Sequence, residues 1–194
     1  MSDFSNFTYP ALQTRIPTGY VLSTFGLESP LGEWSRDMGY VAYAFTAWGT
    51  ANLAVYVPVW VPFSCTATKL LTSYGSTVSG NVDVGIYADS SGQPGSRLTS
   101  AGSTAMGSAN TVQEFDVADQ ALTGGTLYWF AMACSATTST VNCFTFSANA
   151  CYIGRTVPLF TQTSALPLPS TATPAVPSAA FQAPLITATL TTTV

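Results

Sequence analysis

The chain of 194 residues contains no histidine and very little charge of either sign. Histidine is the commonest general base and a frequent metal ligand, so most templates for hydrolases and metalloenzymes do not apply. Charged residues make up 7% of the chain and apolar residues 47%, so the usual charged surface is largely missing. We expect hydroxyl and amide side chains to cover part of the surface and contacts with other subunits to cover much of the rest.

Positive charge is especially scarce. Five basic residues face nine acidic ones, which gives a formal net charge of −4. The basic residues stand singly along the chain, as Arg15, Arg36, Lys69, Arg97 and Arg155. Because phosphate neutralisation needs clustered cations, we expect no nucleic-acid partner.

Signals for export and membrane insertion do not stand out in the sequence. The first residues lack a basic region followed by an apolar one, so we expect synthesis in the cytoplasm. The uncharged stretch 38–68 is interrupted by Pro58 and Pro62, and its apolar residues alternate with others. That pattern argues against a membrane-spanning helix, and we expect no membrane partner.

Four cysteines occur, at Cys65, Cys134, Cys143 and Cys151. Without an export signal, buried free thiols are the expected state. The last three lie close in sequence, so a disulfide formed after cell lysis is the alternative. None of the four makes the close CxxC pair of structural zinc sites.

Other metal and cofactor motifs are also missing. Asp83 and Asp89 lie near a glycine-containing turn, but their spacing is not that of an EF-hand loop. The sequence has no glycine-rich motif that would cradle a phosphate. We therefore expect neither a metal nor a cofactor.

Alternating apolar residues indicate strands through the middle of the chain. In 53–63 every second residue is aliphatic or aromatic, and 82–88 alternates in the same way. The second pattern predicts a half-buried strand with Asp83, Gly85 and Tyr87 on its wet face. Short strands separated by turns, with no helical period, predict an all-β antiparallel β-sandwich or jelly roll. Alternation alone does not distinguish these folds from a closed barrel.

Two strand segments depart from simple alternation. Pro58 cannot donate to a β-ladder, so its strand should lie at a sheet edge or bend there. Segment 127–133 is apolar on both faces, which predicts a central strand or one whose outer face meets another element. We expect Trp129, in this segment, to lie in the core.

The flanks differ from the centre and divide the chain into three parts. We assign an N-terminal arm to 1–38, a β-sandwich domain to 39–155 and a C-terminal arm to 156–194. The C-terminal arm has no charged residue and six prolines, and 186–194 alternates like a strand. This composition fits ordinary disorder badly. We expect the arm to lie across a neighbouring subunit, and the alternative is that it wraps its own domain.

A few side chains are candidates for chemistry on the strand faces. Glu114 and Asp116 lie two residues apart and could form a glycosidase pair, although any solvated strand face has this pattern. We expect no catalytic residue. Trp60, Tyr56 and Tyr87 are candidates for stacking on sugar rings, and core or interface packing is the alternative for each.

Three segments resemble a known kind of protein. They are 81–98 (NVDVGIYADSSGQPGSRL), 112–117 (VQEFDV) and 122–129 (LTGGTLYW). Their pattern of strand and turn residues resembles that of β-sandwich modules in bacteriophage virion proteins. A similar pattern occurs in carbohydrate-binding jelly rolls. The resemblance covers roughly residues 51–133. The four cysteines and the Pro-rich C-terminal arm are not explained by such a module.

The resemblance implies a structural role in a virion and no catalytic residue. Such subunits are capsid decoration proteins or parts of a tail or fibre, commonly trimeric. We therefore expect a decoration or cement-type subunit that contacts other copies, as a homotrimer or larger, and other virion proteins such as the major capsid protein. One rival is a tail or fibre subunit that binds surface glycans. A second rival is an enzyme acting on a surface polysaccharide through Glu114 and Asp116.

Overall fold

Alternating segments form long antiparallel strands in the computed structural model, which describes residues 21–23, 26–28, 43–145, 159–176 and 182–191. Within these residues there is no helix. The strands are β1 (Val21–Ser23), β2 (Gly26–Glu28), β3 (Tyr43–Ala47), β4 (Leu53–Val61), β5 (Cys65–Ser73), β6 (Asn81–Asp89), β7 (Pro94–Ser100), β8 (Thr104–Ala105), β9 (Val112–Leu122), β10 (Thr126–Cys134), β11 (Thr140–Thr145), β12 (Phe160–Gln162), β13 (Gln182–Pro184) and β14 (Thr187–Thr191). Three packed antiparallel sheets confirm the predicted all-β sandwich.

The largest sheet has six strands. Its order is β12-β4-β10-β6-β7, and β8 pairs with the beginning of β6. The apolar strand β10 lies at its centre, as 127–133 predicted, and Trp129 is fully buried. Strand β12 pairs with β4 only over 54–56. Pro58 therefore lies where β4 has a single neighbour among the described strands, which agrees with the predicted edge position.

Two smaller sheets complete the fold. One has the order β2-β1-β14-β5-β9, and the other has the order β13-β11-β3. In the first, Ala188 of β14 pairs with Leu22 of β1 on one side and Leu70 of β5 on the other. The strand-like alternation near the C-terminus therefore corresponds to an interior strand.

Both flanks contribute strands to these sheets. Strands β1 and β2 come from the segment that the sequence assigned to an N-terminal arm, and β12, β13 and β14 come from the assigned C-terminal arm. The sandwich therefore extends beyond 39–155. The described parts of 156–194 pack on their own chain, which is the alternative that the sequence left open for this arm.

The main core lies between the inner face of the six-stranded sheet and the two smaller sheets. The predicted alternation places the aliphatic side chains of β4 and β6 in it, together with those of β5, β9 and β14. Its large members include Val57, Leu70, Ile86, Phe115 and Phe130. Burial of such side chains contributes on the order of 1.5–3 kcal/mol each before the loss of chain entropy.

Three of the four cysteines lie in this main core. Cys65, Cys134 and Cys143 are free thiols, and all three are buried. This agrees with the expected buried thiols, and no two of these three form the alternative disulfide. Cys151 lies outside the described residues.

Candidate functional site

The outer face of the six-stranded sheet includes the face of β6 that the sequence predicted to be wet. Alternation puts the aliphatic residues of β4 and β6 on the inner face, together with Phe130 and Met132 of β10. The outward residues include Ala54, Tyr56, Asp83, Gly85, Tyr87, Trp129, Ala131 and Ala133, and all of them are buried. The predicted wet face of β6 is therefore wrong, because another part of the chain covers it.

Residues 159–176, called the strap below, provide that cover. The strap begins with β12, which pairs with β4; further along Thr171 forms a β-bridge with Ser96 of β7, and Ala175 then bridges back to Thr161 of β12. The Ala172 amide also donates to the carbonyl of Gly95 at 2.9 Å. The strap thus crosses the sheet from the β4 edge to the β7 edge.

Apolar and aromatic contacts form a second core beneath the strap. Phe160 of β12 packs edge-on against Trp129, with ring centroids 5.3 Å apart. Tyr56 and Tyr87 make a similar edge-to-face pair at 5.2 Å. The strap adds Ala165, Leu168 and Ala172 to this cluster. The hydroxyl of a buried tyrosine needs a hydrogen-bond partner. The two tyrosines therefore favour strap positions that place an acceptor beside each hydroxyl.

Both tyrosine hydroxyls bond to the strap. Tyr56 Oη donates to Gln162 Oε1 at 2.9 Å, and Tyr87 Oη donates to the carbonyl of Pro169 at 2.6 Å. Burial raises the pKa of Tyr56 to about 12 and raises that of Tyr87 further. Both hydroxyls therefore keep their protons at neutral pH and act as hydrogen-bond donors.

The backbone of Leu168 is held from both sides. Its amide donates to Asp83 Oδ2 at 2.9 Å, and its carbonyl accepts a hydrogen bond from Arg97 Nη1. The carboxyl group of β6 thus accepts from the amide of Leu168, and the guanidinium of β7 donates to the carbonyl of the same residue. The bond from Arg97 is charge-assisted, and such hydrogen bonds are stronger than bonds between neutral groups.

Gly85 makes room for the Leu168 side chain. A Cβ at this position would lie 3.1 Å from Leu168 Cδ1, 2.7 Å from the carbonyl oxygen of Thr99 and 2.9 Å from Ser100 Cβ. The sheet surface is therefore shaped for the strap at this point, and any larger residue would displace strap or backbone.

Asp83 is the buried carboxyl group of this site. Its Oδ2 holds the Leu168 amide, whereas its Oδ1 is buried and has no hydrogen-bond partner within the described residues. Burial raises the pKa of Asp83, and the opposing effects of the Leu168 amide, the charge of Arg97 and the nearby backbone amides of Gly102 and Val84 are smaller. The carboxyl group is thus poorly solvated in its charged form.

The residues predicted to stack on sugars are separated by this arrangement. Tyr56 and Tyr87 are 0% exposed beneath the strap, so in this fold they offer no ring face to a glycan. Trp60 is 60% exposed, on the part of β4 that extends beyond β12. Of the three candidates, only Trp60 has an accessible ring.

The candidate carboxylate pair lies on another surface. Glu114 and Asp116 are exposed on β9, while Phe115 and Val117 between and after them point into the core. Glu114 forms an ion pair with Lys69 at 2.9 Å, and Asp116 is the cross-strand neighbour of that lysine. An exposed ion pair on one strand face is the solvated arrangement that the alternation indicated.

Sequence reasoning missed the roles of Arg97, Leu168 and Gly85, and it placed Asp83 on a solvated strand face, where it was also considered as a calcium ligand. A signal was nevertheless present. The strap segment has no charge and is rich in Pro, Leu and Ala, so it needs a surface to pack on. The outward residues of β6 and β10 include Tyr87 and Trp129, whose rings offer such a surface. The local sequence does not show that the strap packs on β6, because Asp83 and Leu168 are 85 residues apart.

Other potential sites in the described residues are sparse. A cavity of about 240 Å³ is lined by Trp48, Thr50, Cys143 and Gln182 among others, with no charged side chain. No group of three or more Cys, Asp or Glu side chains could hold a metal ion in the described ranges. The same residues contain no helix that is long and apolar enough to cross a membrane.

Comparison with known proteins adds no relative. The chain matches no protein-family model, no curated protein and no solved structure.

Proposed function

We propose that the protein is a structural subunit of a bacteriophage particle, of the decoration or cement type, which stabilises a capsid through contacts between subunits. The assignment to a phage particle comes from the resemblance of residues 51–133 to virion sandwich modules. The proposal of contacts between subunits comes from one observation, which is that apolar side chains are exposed at open strand edges.

The exposed side chains occur on different sheets. Phe45 is 55% exposed on β3, which has β11 as its one neighbour among the described strands. Trp60 lies on the free part of β4, and Val112 begins β9, the last strand of the five-stranded sheet. Monomeric proteins usually guard such edges with charge, and β3 has none. Exposed apolar groups at strand edges favour association with other chains.

The composition supports the same proposal. With 7% charged residues, much of this surface lacks the side chains that keep monomers apart. Burying apolar surface between subunits would contribute about 25 cal/mol per Å² before the cost of association. A subunit of this kind would act mechanically, by bridging neighbours.

The oligomeric state of the full chain tests the proposal. We expect light scattering to give a trimer or larger, and the double variant Phe45→Ser/Trp60→Ser to dissociate while its circular dichroism stays unchanged. The control is Leu71→Ser, which changes an apolar residue on β5, a strand that has a neighbour on each side. A full chain that stays monomeric at high concentration would contradict the proposed contacts between subunits.

The second candidate is a tail or fibre subunit that recognises host glycans. The exposed ring of Trp60 favours it, because sugar rings stack on accessible tryptophans. Binding on a glycan array that disappears in Trp60→Ala with the fold intact would support this function. No binding by the full chain to any array glycan would count against it.

A further inference from the structure

A buried carboxyl group lies directly under the strap and holds it by one oxygen. Asp83 Oδ2 accepts the Leu168 amide, and Oδ1 is buried without a hydrogen-bond partner among the described residues. A buried carboxylate oxygen without a partner destabilises the charged form strongly. A protonated carboxyl keeps the acceptor for Leu168 and removes the charge.

We propose that Asp83 makes the strap a pH-sensitive latch, which docks most tightly when this carboxyl group is neutral and loosens as the carboxylate forms. The proposal concerns the strap within one chain and does not depend on the phage assignment. Its structural basis is the pairing of Asp83 with Leu168, together with the full burial of the Asp83 side chain.

The direction follows from linkage between protonation and docking. Undocking exposes Asp83 to water, where it ionises at its ordinary pKa, whereas burial raises its pKa in the docked state. The docked state therefore binds the proton more tightly. Docking is most stable below the ordinary pKa of aspartate, and this stability is lost as pH rises through the raised pKa.

The other groups that face Asp83 come from β4, β6, β7, β10 and the strap. Arg97 of β7 stays charged, and the pKa values of Tyr56 on β4 and Tyr87 on β6 are raised by burial. Strand β10 contributes Trp129 and alanines to this face, and the strap has no ionisable side chain. Asp89 accepts a hydrogen bond from Trp129 Nε1 at the exposed end of β6.

Hydrogen exchange of the strap amides tests the latch in the full chain. The amides of Ala165 and Ala172 donate to the carbonyls of Asn52 and Gly95, so they exchange when the strap opens. Exchange rates are measured from pH 3 to 8 and divided by the intrinsic rate at each pH. The Gly125 amide, which donates to Val61 outside the strap, is the internal reference.

We expect the protection of the strap amides, relative to that of Gly125, to fall as pH rises. Every tenfold difference in the acid dissociation constant of Asp83 between docked and undocked states gives up to a tenfold change in protection. In Asp83→Asn this pH dependence should disappear, and in the control Asp89→Asn it should remain. Constant or rising relative protection in the unaltered chain would overturn the proposal, as would a persisting fall in Asp83→Asn.

A second variant keeps the test decisive if Asp83→Asn does not fold. The charge of Arg97 lowers the pKa of Asp83, so Arg97→Gln should move the fall in protection to higher pH. If the pH at which protection falls is unchanged or lower in Arg97→Gln, the assignment of the transition to Asp83 is contradicted.

Discussion

At the scale of single residues, burial sets the chemistry of one carboxyl group and three thiols in the part of the chain that the structure describes. Asp83 sits under the strap, whereas Cys65, Cys134 and Cys143 lie in the main core. Removing a thiolate or carboxylate from water disfavours its charged form, so all four groups have raised pKa values.

The three thiols should be inert in the folded protein. Burial raises the pKa of Cys65 to about 11 and that of Cys143 to about 12, and raises that of Cys134 as well. Since the thiolate is the reactive form, iodoacetamide at pH 8 should leave these residues unmodified until the chain is unfolded in urea. Peptide mapping by mass spectrometry measures this, and modification of any of the three in the native protein would contradict it.

At the scale of secondary-structure elements, the strap converts an exposed sheet face into a second core. It contributes one short strand, β12, and an irregular segment whose amides and carbonyls bond to β4, β6 and β7. The strap is therefore held partly by hydrogen bonds and partly by apolar contacts, in which Leu168 contributes a large, fully buried side chain.

Truncating Leu168 should therefore weaken the strap and the whole fold. We expect Leu168→Ala to lower the free energy of unfolding by about 2–5 kcal/mol, since it removes buried contacts and leaves a cavity over Gly85. The matched control is Val176→Ala in the same strap, where the side chain is 70% exposed and the change should stay within about 0.5 kcal/mol. Urea denaturation measures both, and equal effects of the two variants would contradict the second core.

At the scale of the whole molecule, the C-terminal part of the chain joins the three sheets. Strand β12 belongs to the six-stranded sheet, β13 to the three-stranded sheet and β14 to the five-stranded sheet. Strand β14 lies between β1 and β5, so it is an interior strand. These strands and the strap close the fold around both cores.

A chain that ends at Arg155 should therefore fail to fold. It would lack β12, β13 and β14, would expose the Trp129 face of the six-stranded sheet, and would leave β5 paired only with β9 and β11 paired only with β3. We expect loss of near-UV circular dichroism and of a cooperative urea transition, while a control chain that ends at Thr191 keeps both. Cooperative unfolding of the shorter chain would show that 39–155 is sufficient to fold.

The sequence by itself determined the class of fold and much of the main core. Period-2 alternation in β4 and β6 places aliphatic residues on one face whatever the partner strands are, and Pro58 marks an edge because it has no amide proton. Strand β10 is apolar on both faces, and such a strand must be covered on both, so its sequence also predicted its central position.

Only the tertiary structure decided what covers the other face of the six-stranded sheet. Asp83 and Tyr87 alternate with valine and isoleucine just as solvated residues do, and local pattern does not distinguish a wet face from one covered by a distant segment. The contact between Asp83 and Leu168 spans 85 residues. The burial of Asp83, and hence the raised pKa of its carboxyl group, follows from long-range packing rather than from neighbours in the chain.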